Sequence, residues 1–150
     1  MKSSRSPLGA SVAATLMCTA TLASAQNSPV GLWRNVDDKT GEARAEVRIT
    51  ERDGVLFGRI EKRLAADAKP DAVCTQCSDD RKGQPMTGLE IIRGAKKAAG
   101  KDVWEDGKIL DPENGRNYTL RLTPVDGGRK LEVRGSLGPF GRTQTWLRIQ

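Results

Sequence analysis

Chemistry in a polypeptide is carried by few residue types, and this chain lacks the most versatile of them: it has no histidine. Without an imidazole no Ser-His or Cys-His pair can form, and the usual general base is missing. Cysteines and carboxylate pairs remain. Cys74 and Cys77 stand at C-x-x-C spacing, which serves as a disulfide, a catalytic redox pair, half of a metal site or two free thiols. In an oxidising compartment the disulfide leads. A redox pair is expected at a helix N-terminus after a strand, whereas this one lies in a charged, Asp-rich loop; a metal wants four ligands, and no second C-x-x-C exists. The carboxylates come as Asp37 with Asp38, Asp79 with Asp80, and Asp111 ahead of Glu113. All fall in predicted turns, where such side chains bond to nearby backbone amides. Asp111-Pro112-Glu113-Asn114-Gly115 has a superficial likeness to a calcium loop, without the alternating ligands or the terminal Glu. The expectation is no enzyme, no metal and no cofactor.

The compartment is read from the first 25 residues, which form a signal peptide rather than part of a fold. Lys2 and Arg5 make a positive start, residues 8–22 are largely apolar and uncharged, and Ala23-Ser24-Ala25 is an A-x-A cleavage site before Gln26. That apolar run is too short and too rich in Ala, Ser and Thr to span a membrane comfortably. Thr15-Leu16-Met17 fits poorly as a lipoprotein signal before Cys18, so Cys18 is expected to leave with the peptide. A periplasmic or secreted protein follows, with residues 26–150 as one domain, since about 125 residues suffice for one core and not two. Removing Lys2 and Arg5 lowers the basic count from 25 to 23 against 19 acids. Charges are interspersed and aromatics few, which argues against a nucleic-acid surface. Contact with an anionic envelope surface stays open, and a solvated exterior is the plainer meaning of the charge.

The elements that position these groups read as strands. Residues 30–36 are a short apolar stretch, and residues 43–50 alternate, with Ala43, Ala45, Val47 and Ile49 on one face. Asp53-Gly54 turns the chain into 55–63, with Leu56, Gly58 and Ile60 on one face. Residues 64–85 form a long segment holding both cysteines, either a lid or binding loop or a surface flap tethered by its disulfide. Residues 88–93 resume a strand, and 95–99 make at most one helical turn. Asp106-Gly107, Asn114-Gly115 and Asp126-Gly127-Gly128 then punctuate strands at 108–110, 118–123 and 130–135. In the closing strand, 141–150, Arg142, Gln144, Trp146 and Arg148 share one side, which suggests Trp146 covered by the Arg148 guanidinium; a half-exposed edge tryptophan is the alternative. Eight or nine strands without a long helix make an all-β, up-and-down antiparallel barrel, because closure removes the exposed edges. Its interior would carry Ala43, Ala45, Val47, Ile49, Leu56, Gly58, Tyr118 and Leu120, either packed solid or leaving an apolar cavity with the Tyr118 hydroxyl as its polar handle.

Gly31-Leu32-Trp33, Asp37-Asp38, Thr40-Gly41, Asp53-Gly54, Gly58, the cysteine pair, Gly88-Leu89, Trp104, Gly107, Ile109-Leu110-Asp111-Pro112, Asn114-Gly115, Tyr118, Leu131-Glu132-Val133-Arg134-Gly135 and the closing Gly141-Arg142-Thr143-Gln144-Thr145-Trp146 together resemble the bacterial domain of unknown function 2147. The resemblance spans residues 26–150 and implies a secreted or periplasmic lipocalin-like (calycin) barrel that binds a small hydrophobic or amphipathic molecule. It brings no catalytic residues. It also implies that Trp33 is covered by Arg142 or Arg148, so that Gly31, Trp33, Arg142, Trp146 and Arg148 form a structural latch. The function expected is carrier or sensor of such a ligand. An interaction or envelope-stress module acting through residues 64–85, and a thiol oxidoreductase using Cys74 and Cys77, are the competing readings.

Overall fold

Alternation along each strand decides which side chains turn inward, and the computed structural model, which describes residues 27–150, carries that rule around a complete circle. The predicted signal peptide and Cys18 lie outside the described residues. Eight strands follow in order: β1 (Gly31–Val36), β2 (Ala43–Arg52), β3 (Val55–Arg63), β4 (Glu90–Lys97), β5 (Trp104–Asp111), β6 (Arg116–Val125), β7 (Lys130–Leu137) and β8 (Phe140–Arg148). Each pairs antiparallel with the next, and β8 returns to β1 to close the barrel. Asp53 and Gly54 both take positive φ, 52° and 76°, as the two-residue β2–β3 turn requires.

Two expectations fail in the same place. Residues 95–97 are not a helical turn but the end of β4, and Asp106-Gly107 does not end a strand. Asp106 adopts a positive φ of 64° inside β5, where the register with β6 shifts between Trp104 and Gly107. A bulge, and not a turn, uses the Asp-Gly pair here. The cause is close approach across β4 and β5: a Cβ on Gly107 would lie 2.6 Å from the Ala95 nitrogen. Ala95 is fully buried under that contact, and packing overrides the helix preference of Ala and Lys.

One end of the barrel is packed solid. Trp33, Ile49, Leu56, Ile92, Leu122 and Leu131 are all without exposure, so water is excluded and roughly 1.5–3 kcal/mol per large side chain favours folding. Gly58 belongs to this packing because a Cβ there would meet the Ile92 side chain at 2.9 Å.

The same end is locked by Arg148. Its guanidinium lies 4.1 Å from the centre of the Trp33 ring. Its nitrogens donate to the carbonyls of Gly128 (2.6 Å), Val30 (3.0 Å) and Ser28 (2.6 Å), while the Trp33 indole donates to Pro29 at 2.7 Å. Gly31 leaves room for the lock, since a Cβ there would sit 2.6 Å from an Arg148 nitrogen and 2.5 Å from the Gln150 carbonyl oxygen. Burial pushes the Arg148 pKa down, yet a guanidinium stays charged at any pH the fold meets.

Trp146 is therefore not the aromatic that Arg148 covers. Residues i and i+2 of a strand are about 6.6 Å apart, whereas directly paired residues across two strands are about 5 Å apart, and Trp33 is the residue opposite Arg148. Nor is Arg142 part of the lock, because it pairs with Asp38 at the other end of the barrel. Replacing Arg148 by Ala removes the stacked cation and strands three carbonyls, so urea unfolding is expected to show a loss of about 3 kcal/mol. Arg148→Lys should recover less than half of it; full recovery with Lys would show that charge alone, without the planar fork, makes the lock.

Candidate functional site

Beyond the packed half the interior opens. A cavity of about 750 Å³ runs from Val47, Ile60, Val133 and Trp146 outward past Ala45, Ile109, Tyr118 and Gly135 to a rim that includes Arg44, Arg63, Glu113, Arg116 and Arg142. Two small residues help to leave it open. Ala45 faces it from β2, and Gly135 on β7 leaves the space that any larger side chain would fill beside Tyr118. Its volume falls within the range of about 300–1,000 Å³ typical of small-molecule sites.

The residues expected to line the interior divide between the two halves. Ala45, Val47 and Tyr118 are brought together around the cavity. Ile49, Leu56 and Leu120 are buried in the packed core, Gly58 accommodates Ile92, and Ala43 stands half-buried at the start of β2 without lining the cavity. The Tyr118 hydroxyl accepts from the Asn114 amide at 3.0 Å near the β5–β6 turn, and both residues line the cavity. Asn35 on β1 and Gln144 on β8 are further polar groups of the lining, the latter 3.5 Å from the Trp146 indole nitrogen. Trp146, expected in the latch, is instead part of the cavity wall. Arg63 was not foreseen there. A register shift between Glu46 and Val47 lets β3 turn Arg63 to the side of its partner Ala45, and no sequence pattern announces that bulge.

Residues 64–89 lie folded against this open end and are neither a free flap nor a simple turn. Cys74 and Cys77 form a disulfide, and both are buried, at 1% and 2% exposure, within the hydrophobic core. Exchange needs an attacking thiolate to reach a sulfur, and burial at this level denies that access. Ala65 and Met86 from the same segment join the cavity wall. Arg81, only 3% exposed, ties the segment to the barrel. It donates to Asp79 at 3.0 Å, to the Glu90 carbonyl of β4 at 2.9 Å and to Asn117 of β6 at 2.7 Å. On the far side, Gly115 lets the Gln76 carbonyl come so close that no Cβ could stand between them.

The carboxylates expected to serve turns do so in part. Asp37 accepts the Lys39 and Thr40 amides at 2.9 and 3.0 Å, and Asp111 accepts the Glu113 amide at 3.0 Å. Asp38 and Asp80 instead pair with Arg142 and Arg93, while Asp79 both accepts the Arg81 amide and pairs with its guanidinium. The Arg81 guanidinium holds the Asp79 carboxyl well below the usual carboxylate range. A depressed folded-state pKa means stability present above the unfolded value, about 4, and lost as pH falls through the folded value. Asp79→Asn should therefore lower stability by about 2 kcal/mol near neutral pH, by leaving Arg81 buried without its counterion. The gap to the parent should close on acidification below about pH 4, and a gap independent of pH would contradict the ion pair as its origin.

The comparisons with known proteins agree with this architecture. Protein HP1028 from the human pathogen Helicobacter pylori, described as belonging to the lipocalin family, superposes with a TM-score of 0.67 at 18% identity, over 81% of this chain and 82% of its own. No curated protein sequence matches. The family model DUF2147, described as an uncharacterized protein conserved in bacteria, matches residues 31–148. With that match covering nearly the whole barrel, the chain belongs to the DUF2147 family.

Proposed function

We propose that this is an exported, non-enzymatic carrier or sensor that holds a small hydrophobic or amphipathic molecule inside the barrel, in the periplasm or outside the cell. The observation that carries this reading is the division of the interior: one half packed to exclude water, the other open and walled largely by apolar side chains. Native interiors rarely keep voids of this size without use. The lipocalin-like fold suits such a role, because eight-stranded barrels of this class can hold one small ligand. The apolar path does not stop at the rim. Leu137 and Phe140, 51% and 79% exposed, continue the wall beyond it on the β7–β8 hairpin. Export rests on the signal-peptide pattern of residues 1–25.

Titration with a neutral environment-sensitive dye tests the reading. The parent should bind it in a saturable manner. Ala45→Trp, which places a large ring in the cavity without touching the packed half, should weaken binding by at least about tenfold. Unfolding in urea should confirm that the variant remains folded. Absence of uptake by the parent, or undiminished uptake by the Trp variant, would rule the cavity out as the site.

A further inference from the structure

The rim of the cavity is crowded with charge, and its two signs are not equally satisfied. Every carboxylate in the wall already has its donors. Asp37 and Asp111 accept backbone amides of their own turns, and Asn114 also donates to Asp111 at 3.0 Å. Glu113 accepts from Arg44 at 2.6 Å. Among the cations, Arg142 is held by Asp38. Arg63 and Arg116 line the cavity with no carboxylate within ion-pair distance among the described residues.

Arg63 is the better placed of the two. It stands opposite Ala45, directly above the apolar wall, and only one of its nitrogens is engaged, donating to the Lys69 carbonyl at 3.2 Å. The remaining donors of the guanidinium form a planar fork suited to a carboxylate or a similar oxyanion. The Arg44–Glu113 pair adds a second guanidinium. It joins the start of β2 to the β5–β6 turn, which lies between the third and fourth strands on from β2 in an eight-stranded barrel, so it crosses the mouth. Both side chains are substantially exposed. An exposed pair is weak and exchanges readily. An anion arriving at the mouth can take the place of Glu113 on Arg44.

We infer that the cavity selects an apolar molecule with an anionic head, its tail against Val47, Ile109 and Trp146 and its head bound by Arg63, with Arg44 recruited as Glu113 is displaced. The inference rests on the proposed role of the barrel as a container for a small amphipathic ligand. In the bound state Glu113 swings to solvent and the mouth opens.

Displacement of the neutral dye from the folded protein by decanoate, decan-1-ol and decyltrimethylammonium, near neutral pH and at low salt, tests it. Decanoate should compete at least about tenfold better than the other two. Arg63→Gln should bring decanoate to within about threefold of decan-1-ol, and urea unfolding reports that the variant is folded. Glu113→Gln should strengthen decanoate binding by about threefold, because Arg44 no longer has to be freed. Equal displacement by all three compounds overturns the headgroup assignment and leaves the container intact. Decanoate preference that survives Arg63→Gln overturns the role of Arg63. Failure of the parent to bind the dye or any of the three overturns the container itself.

Discussion

The contact on which the molecule depends is the Arg148 guanidinium laid over the Trp33 indole. A sheet of eight strands becomes a barrel only where its first and last strands meet, and here that seam is short: two registered pairs, Trp33 with Arg148 and Arg34 with Leu147. Backbone bonds between Leu32, Ile149 and Gln150 extend it by little. A seam of that length has few ladder bonds to hold it. Arg148 compensates by binding to three carbonyls on two segments, the approach to β1 and the β6–β7 turn, while covering the aromatic that anchors β1. One side chain thus joins both strands of the seam to the turn beside them.

Locking one end has a consequence for the other. Because Trp33, Ile49, Leu56, Ile92, Leu122 and Leu131 make a dry plug beside the seam, the opposite half need not be filled for the barrel to stand. It is bounded instead by the segment between β3 and β4, which buries its own disulfide and is fastened to β4 and β6 by Arg81. Plug, seam and fastened segment together keep a cavity open where an unsupported barrel would collapse inward. The ion pairs at the rim, Arg44 with Glu113 and Arg142 with Asp38, are exposed and contribute little to stability. Their placement at the mouth ties them to access more than to folding.

Much of this was legible from residue order. Alternation through Val47 and Ile49, through Leu56, Gly58 and Ile60, and through Leu131 and Val133 assigned strands and their inward faces, since one buried face imposes a strict period of two. The seam between the Gly-x-Trp segment and the arginine-bearing last strand was implied by the family resemblance. What stayed hidden depends on contacts between distant segments. Asp106-Gly107 reads as a turn until Ala95 is seen pressing on Gly107. Arg63 reads as outward until a bulge rotates β3. Nothing local told the residues of the plug, such as Ile49 and Leu120, from those of the cavity, such as Ala45 and Tyr118, because both face inward. Their height along the barrel separates them, and that is set by the register of all eight strands together.

The central claim is that the open half of the barrel is a container and not a packing defect. Crystallographic density for protein purified from its own envelope without detergent tests that most directly. The account predicts elongated density for a bound molecule in the space enclosed by Ala45, Val47, Ile109 and Trp146. Side chains such as Met86 and Trp146 turned inward to fill that space, with no room left for a ligand, would contradict it.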